Sequence, residues 1–480
     1  MENSLQKVSI FSKGLWQEAK SYFPISNPYS GEIIAKVADT KDEEADELIQ
    51  VAQDAFDDYK NLPAFERSEI LYKLSRIFEE KKELFSEIIS IETAKPLRYA
   101  KGEIDRCIQT YRFSAEEAKQ IRGETIPMDA AKGGNGRLGF TIREPIGLVG
   151  AITPFNFPFN LVAHKVGPAL AAGNTIILKP SEQGSLSALA LIEALKKAGL
   201  PPGVVQLAPG RGDVIGKKLV ESDLIQKISF TGSLRVGKEI QKKAGFKKLT
   251  LELGSDSSLI LDENIEFSPS LMEKIVSGAF AYSGQVCISI QKLHLPRKRF
   301  EEFLNLLCGR IEKLVYGDPL KEETEISSLI SIKEAERIQN WMEESIQKGA
   351  NLHIGGKLKT NTIMEATVFS NVPNSCRIYC EEAFGPILII ETYDSLDEAI
   401  QKVNRSAYGL QCGFFSNNFS HILKVIKTIK VFGIHINDVP TFRVDHMPYG
   451  GIKNSGFGKE GIRYAIREMM QEKFISFKEY

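Results

Sequence analysis

The stretch GLVGAITPFNFPFNLVAHKVGPALAAGNTIILKPSE, residues 147–182, decides how this chain is read. It opens on a short apolar run, GLVGAIT (147–153), and ends on another, NTIILK (174–179), with a helical segment through the 160s between them. Strand–helix–strand units of that length build a parallel sheet covered by helices on both faces. The alternation continues. After the helical LSALALIEALKKAG (186–199) come VVQLAP (204–209), KISFTG (227–232) and KLTLELG (248–254), each separated by a helical segment. Ligands of such sheets bind beyond the carboxyl ends of the strands. Chemistry is therefore sought at TPFN (153–156), KPSE (179–182), TGS (231–233) and LELG (251–254).

Upstream, residues 42–122 repeat apolar positions at three- and four-residue spacing, as in DEEADELIQVAQDAF (42–56), and read as helices. The Gly-rich GGNGRLGFTIREPIG (133–147) reads as a hairpin-like excursion. Downstream of LELG the alternation restarts less regularly to about residue 440, giving a second α/β domain. The tail EMMQEKFISF (468–477) reads as a strand in want of a partner.

A chain of 480 residues holds about three units at ~150 residues each. Hydrophobic residues at 42% and charged residues at 26% argue against disorder. Lys and Arg number 61 against 62 Asp and Glu, so net charge offers no attraction to nucleic acid or an anionic membrane. No apolar stretch reaches the ~20 residues of a membrane span. The N-terminus lacks the apolar core of a secretion signal. Six scattered cysteines build no disulfide framework and no zinc-finger spacing, so a reducing, cytoplasmic setting and no metal are expected.

Two glycine segments bear on phosphate binding. PGRGDVIG (209–216) approaches G-x-G-x-x-G, but its last interval is one residue too long, which favours a plain turn and helix start; Gly212 stays a candidate. In FTGSLRVGKEI (230–240), Gly232 follows a strand and Ser233 can cap a helix whose free amides favour a phosphate. Lys179 can hydrogen-bond ribose hydroxyls, and Glu182 can accept from a 2′-hydroxyl while repelling a 2′-phosphate.

Cys287, in AYSGQVCISIQK (281–292), follows small and polar residues whose exposed amides would favour a thiolate. The other five cysteines read as small buried hydrophobes. A catalytic thiolate needs a base and oxyanion donors. Glu252 is a carboxyl among apolar residues at a strand end, so burial should raise its pKa toward a base's working range. Asn156, between prolines, reads either as a turn-forming asparagine or as an amide donor to an oxyanion.

TPFNFP, LKPSE, FTGS, LELG, GQVC, EEAFGP and MPYGGIKNSGFGKEG occur here in the order and approximate spacing of the NAD(P)-dependent aldehyde dehydrogenase superfamily, and the chain resembles that family over essentially its whole length. The resemblance implies a dinucleotide-binding α/β domain (1–118 and 142–253), a catalytic α/β domain (254–447) and a small bridging sheet (119–141 and 468–480) that joins subunits into a dimer or tetramer. It implies Cys287 as nucleophile, Asn156 and the Cys287 amide as oxyanion hole, and Glu252 as base. NAD, with NADP as the alternative, is expected at Thr153, Pro154, Phe155, Lys179, Ser181, Glu182, Gly212, Phe230, Gly232, Ser233, Val236, Leu253, Glu382 and Phe384. Asn437 matches a structural or site-lining asparagine.

Glu252 argues for hydrolysis rather than acyl transfer to coenzyme A, and the presence of both Cys287 and Glu252 argues against an idle scaffold of the same fold. Two positions that hold arginines in succinic-semialdehyde enzymes of the family carry His164 and Ala281 here. GQVCISIQ, ELGSD and PTFRVDHMPYGG instead resemble the branch of lactaldehyde, non-phosphorylating glyceraldehyde-3-phosphate, phosphonoacetaldehyde and sulfolactaldehyde dehydrogenases. Arg112, Asn160 and Arg443 are the expected substrate contacts, the arginines serving either an anionic tail or ordinary ion pairs. The expected substrate is a small polar aldehyde, 2-hydroxylated or anionic.

Overall fold

The computed structural model describes residues 5–478. Its five parallel strands Leu148–Ile152, Thr175–Lys179, Val205–Leu207, Ile225–Thr231 and Lys248–Glu252 coincide with the five apolar runs. The first two are buried at every residue, which is why they read as unbroken apolar runs rather than alternating ones. Across the sheet the order is Lys248–Glu252, Ile225–Thr231, Leu148–Ile152, Thr175–Lys179, Val205–Leu207. The chain winds one way from Leu148–Ile152 and then returns to its other side. The crevice beyond the carboxyl ends of Leu148–Ile152 and Ile225–Thr231 is thus a topological switch point, flanked by TPFN and TGS.

The covering helix Asn160–Ala172 starts without a cap from its own sequence. Glu103, from helix Leu97–Ala118, supplies one: its carboxylate accepts from the backbone N–H of Phe159 at 2.9 Å and of Asn160 at 3.1 Å. An acid there satisfies helix-end amides and opposes the positive end of the dipole. Lys95, equally buried, pairs with it.

A second sheet of seven strands runs Asn351–Ile354, Thr367–Ser370, Ile387–Tyr393, Lys292–Pro296, Ser258–Leu261, Gln411–Phe415, Gly433–Ile436, with every pairing parallel except the first. In the third sheet the tail strand Met470–Lys478 lies antiparallel to Arg137–Pro145 along nine residue pairs, with Thr125–Ile126 on the other edge. The orphan strand finds its partner inside the same chain.

Three features were not anticipated. Ile10–Ser12 and Leu15–Gln17 extend the first sheet at one edge, and Gly456–Phe457, far beyond residue 253, closes the other. Gln6–Val8, Ile33–Ala38 and Tyr22–Ser26 form a further small sheet. These strands are short, so no periodicity announces them. Among the described residues no helix is long and apolar enough to cross a membrane.

Candidate active site

Cys287 sits on a turn held in an uncommon backbone conformation. Tyr282, Ser283 and Gly284 carry φ of 51°, 54° and 71° in succession. Left-handed conformations at a tyrosine and a serine persist only where the surroundings enforce them. Here the Tyr282 hydroxyl donates to the Thr93 carbonyl at 3.1 Å and the Ser283 hydroxyl to the Ser327 carbonyl at 2.8 Å. Gly284 admits no side chain, because a Cβ would lie 2.1 Å from the Gly385 carbonyl oxygen. The turn thus locks Cys287 against the segment that bears Glu382 and Phe384.

The Cys287 Sγ lies 3.1 Å from the Tyr449 hydroxyl. Burial pushes the thiol up to about 11, against the opposing pull of the Tyr449 hydrogen bond and the Arg443 charge. Asn156 is buried, and its Nδ2 donates to the Gln285 carbonyl at 2.9 Å. That bond uses one amide hydrogen and leaves the other for an oxygen beside Cys287. Glu252 ends its strand buried, and neither carboxyl oxygen has a hydrogen-bond partner. Burial raises its pKa well above the usual carboxylate range, and the nearby Glu460 charge adds to the shift. An unpartnered carboxyl of raised pKa is a stronger base, and in its ionised form it can take a proton from water.

At the strand ends of the first sheet, the Lys179 ammonium is nearly buried, and its one polar contact, Glu182, is 3.5 Å away. The Thr153 hydroxyl has no partner. The Gly232 N–H donates to the Glu252 carbonyl at 3.0 Å, and Ser233 caps helix Leu234–Lys243 by accepting from the Val236 N–H at 3.4 Å. Phe230 and Leu253 are buried beneath that corner. Ser181 turns the chain, its carbonyl accepting from the Gly184 N–H at 3.0 Å. Gly212 brings the turn after Val205–Leu207 beside Lys179, since a Cβ there would lie 3.8 Å from Nζ. Phe155, after Pro154, meets Phe384 edge to face, with centroids 5.9 Å apart. Glu382 accepts from the Ser255 N–H at 3.0 Å, and burial lifts it to about 7. The Lys179 ammonium, the unpartnered Thr153 hydroxyl and the Ser233 helix start at the strand ends of the first sheet, with Glu382 and Phe384 across from them, fit an extended dinucleotide.

Behind Tyr449 lies a buried ionic cluster. The Arg443 guanidinium stacks 3.6 Å from the Tyr449 ring centre and donates to Glu460 at 3.0 Å. Lys165 donates to the other Glu460 oxygen at 3.0 Å and to Thr231 at 2.7 Å. Asp445 receives Arg106 (2.8 Å), His164 (2.9 Å) and Asn160 (3.1 Å). Burial, then the Arg443 charge, lowers the His164 pKa, so the ring is neutral near pH 7. Three cations thus face two carboxylates, and Glu252 lies near them with its pKa raised. A cavity of about 630 Å³ opens from this cluster, and its lining includes the cations Lys82, Arg106, Arg112 and Arg443 and the carboxylates Glu79, Asp105 and Asp445.

One substrate-contact expectation needs correction. Asn160 gives its amide to Asp445 and accepts from Thr110 at 2.8 Å, so it supports Asp445 from below rather than facing the cavity. Arg112 lines the cavity and pairs with Glu79 at 3.4 Å. Arg106, on the same helix, lines it too and pairs with Asp445. Nothing in ordinary helix patterning singles out Arg106, and Tyr449 was hidden inside a quoted motif. Asn437, with φ of 57°, accepts from the Ser416 N–H at 2.9 Å and pins a loop of the second sheet. Ala281 is partly buried at the start of the Cys287 turn.

Fold and site together define an α/β oxidoreductase in which a cysteine-bearing turn of one sheet faces the ligand-binding strand ends of another. The chain belongs to the aldehyde dehydrogenase family, whose profile matches residues 16–475, and it is an aldehyde-oxidising enzyme. It is 40% identical to a 3-sulfolactaldehyde dehydrogenase of Priestia megaterium over 474 residues, covering 98% of each chain. It is 40% identical to a lactaldehyde dehydrogenase of Methanococcus aeolicus over 476 residues, covering 97% of this chain and 99% of that one. The solved NADP-dependent glyceraldehyde-3-phosphate dehydrogenase of Bacillus halodurans, complexed with NADP, superposes with a TM-score of 0.95 at 36% identity, covering 98% and 99%.

Proposed function

We propose that the enzyme oxidises a small aldehyde bearing a 2-hydroxyl or an anionic group to its carboxylic acid, through a thioester on Cys287. The observation that carries the substrate class is the Arg106 guanidinium, which stands partly exposed where the balanced buried cluster of Lys165, Arg443, Asp445 and Glu460 opens on the cavity. A guanidinium with N–H groups free beside a cavity forms charge-assisted hydrogen bonds to an anionic tail. The names of the relatives agree, since lactaldehyde and sulfolactaldehyde are 2-hydroxy aldehydes and the second is anionic.

The Cys287 sulfur adds to the carbonyl carbon, and the resulting oxyanion takes the free amide hydrogen of Asn156 and the Cys287 N–H. A nicotinamide dinucleotide, NAD or NADP, held by Lys179, Thr153, Ser233, Glu382 and Phe384, supplies the acceptor for the hydride leaving that carbon. Glu252 then takes a proton from water as the water oxygen displaces sulfur from the thioester, releasing the acid and restoring the thiol. The tail sheet is assigned to subunit contact, because Leu138, Phe474 and Phe477 leave large apolar side chains exposed along it.

The experiment is a comparison of kcat/KM for lactaldehyde, 3-sulfolactaldehyde and propanal, each with NAD and with NADP. A preference for the two substituted aldehydes is expected. A clear preference for propanal refutes the substrate class.

A further inference from the structure

Tyr449 is 2% exposed, and its hydroxyl has one polar neighbour among the described residues, the Cys287 Sγ. The residue is held by its backbone: its N–H donates to the Glu460 carbonyl at 3.1 Å, and the Glu460 N–H returns a bond to the Tyr449 carbonyl at 2.7 Å. Its ring packs with Ile288 and Leu410 on one side and carries the Arg443 guanidinium on its face. A phenylalanine would satisfy all of that packing. The hydroxyl is the one part of the side chain that the fold does not require.

We propose that Tyr449 is the hydrogen-bond donor that favours the thiolate form of Cys287, with Arg443 a positioning residue that fixes the phenol from its ring face. The inference rests on Cys287 being the nucleophile. In the thiol either atom can donate. Once the sulfur loses its proton it can only accept, so the tyrosine O–H must donate, and a bond to an ionised acceptor is the stronger kind. Groups facing the sulfur divide by sign: the Arg443 charge favours the thiolate, while Glu382 and Glu252 oppose it along with burial. The phenol faces Cys287, Arg443 and Glu252, and burial keeps it protonated far into the alkaline range, so it remains a donor while the thiol ionises. Arg443 itself faces Glu460, Asp445 and His164. A cation on the ring face withdraws charge from the phenol and strengthens its O–H as a donor. When sulfur bonds to the carbonyl carbon its charge passes to the oxygen, and the hydrogen bond serves the sulfur again when it leaves the thioester as a thiolate.

The test needs no aldehyde. Full-length enzyme is treated with iodoacetamide from about pH 6 to about pH 12, and carbamidomethylation of the Cys287 peptide is followed by mass spectrometry in wild type and Tyr449→Phe. The variant should react about tenfold more slowly at neutral pH, with its rising limb moved up by about one pH unit, a rate that converges on that of wild type at the alkaline end and an unchanged melting temperature. Superimposed profiles overturn the proposal. So does a loss by the same factor at every pH, which would report access to the sulfur and not its ionisation. A wild-type enzyme that alkylates as described but never carries an acyl group on Cys287 during turnover would sink the nucleophile reading and leave this hydrogen bond standing.

Discussion

Arg106→Met asks directly whether the buried cluster reads an anionic substrate. Arg106 is 28% exposed at its side chain and spends Nε and one Nη2 hydrogen on Asp445, leaving three of its five N–H groups toward the cavity. A tail that accepts from that free edge makes charge-assisted hydrogen bonds of about 1.5–3 kcal/mol in net effect. At about 1.4 kcal/mol per factor of ten, the substitution should lower kcat/KM for 3-sulfolactaldehyde about 10- to 150-fold. Propanal has no group to lose and should change by less than about threefold. Asp445 keeps His164 and Asn160, so the site should hold its shape, and a melting curve of each variant checks this. The assay is initial-rate formation of reduced dinucleotide with both aldehydes. Equal losses for the two would show that Arg106 acts through the fold alone. An unchanged rate with the sulfonated aldehyde would remove the anionic-tail reading.

Four further outcomes are expected. Glu252→Gln should leave a first turnover of reduced dinucleotide but slow the steady state by about 10²–10⁴, with acyl-Cys287 visible by mass spectrometry; a steady state like wild type would show that another group activates water. Glu460→Gln removes a negative charge that raises the Glu252 pKa, so the rising limb of the hydrolysis rate should move to lower pH, and a limb that stays or moves up contradicts the coupling. The same variant tests linkage in the fold. Glu460 is held at about 2, below its ordinary 4.5, so the stability it adds is present above pH 4.5 and is lost as pH falls toward 2; the melting advantage of wild type should shrink over that window. Finally, Glu182→Ala should raise kcat/KM for NADP relative to NAD, because it deletes the one carboxylate in contact with Lys179; an unaltered ratio would place the discrimination elsewhere.

The parallel sheet and its strand ends were legible because the information is local. A strand buried on both faces must be an apolar run, and its covering helix must follow within a short distance, so GLVGAIT and NTIILK announce themselves. Cys287, Glu252 and Asn156 were legible for a related reason, since each sits in a short motif beside a strand end or turn. The edge strands Ile10–Ser12 and Gly456–Phe457 were not, being too short to carry a period. Nor was the helix cap supplied by Glu103, which reaches across 56 residues of chain.

By itself the sequence determined the two-sheet architecture and the strand ends that suit a dinucleotide, and it nominated Cys287, Glu252 and Asn156. Only the tertiary structure decided which charges neutralise which. Asp445 meets Arg106 across 339 positions and Lys165 meets Glu460 across 295, and no spacing rule links residues that far apart. Tyr449 reaches Cys287 in the same way, over 162 positions. Secondary structure follows from the few residues that share a turn or a strand, whereas a buried charge cluster exists only once distant segments have expelled water from one place, and its balance is set there.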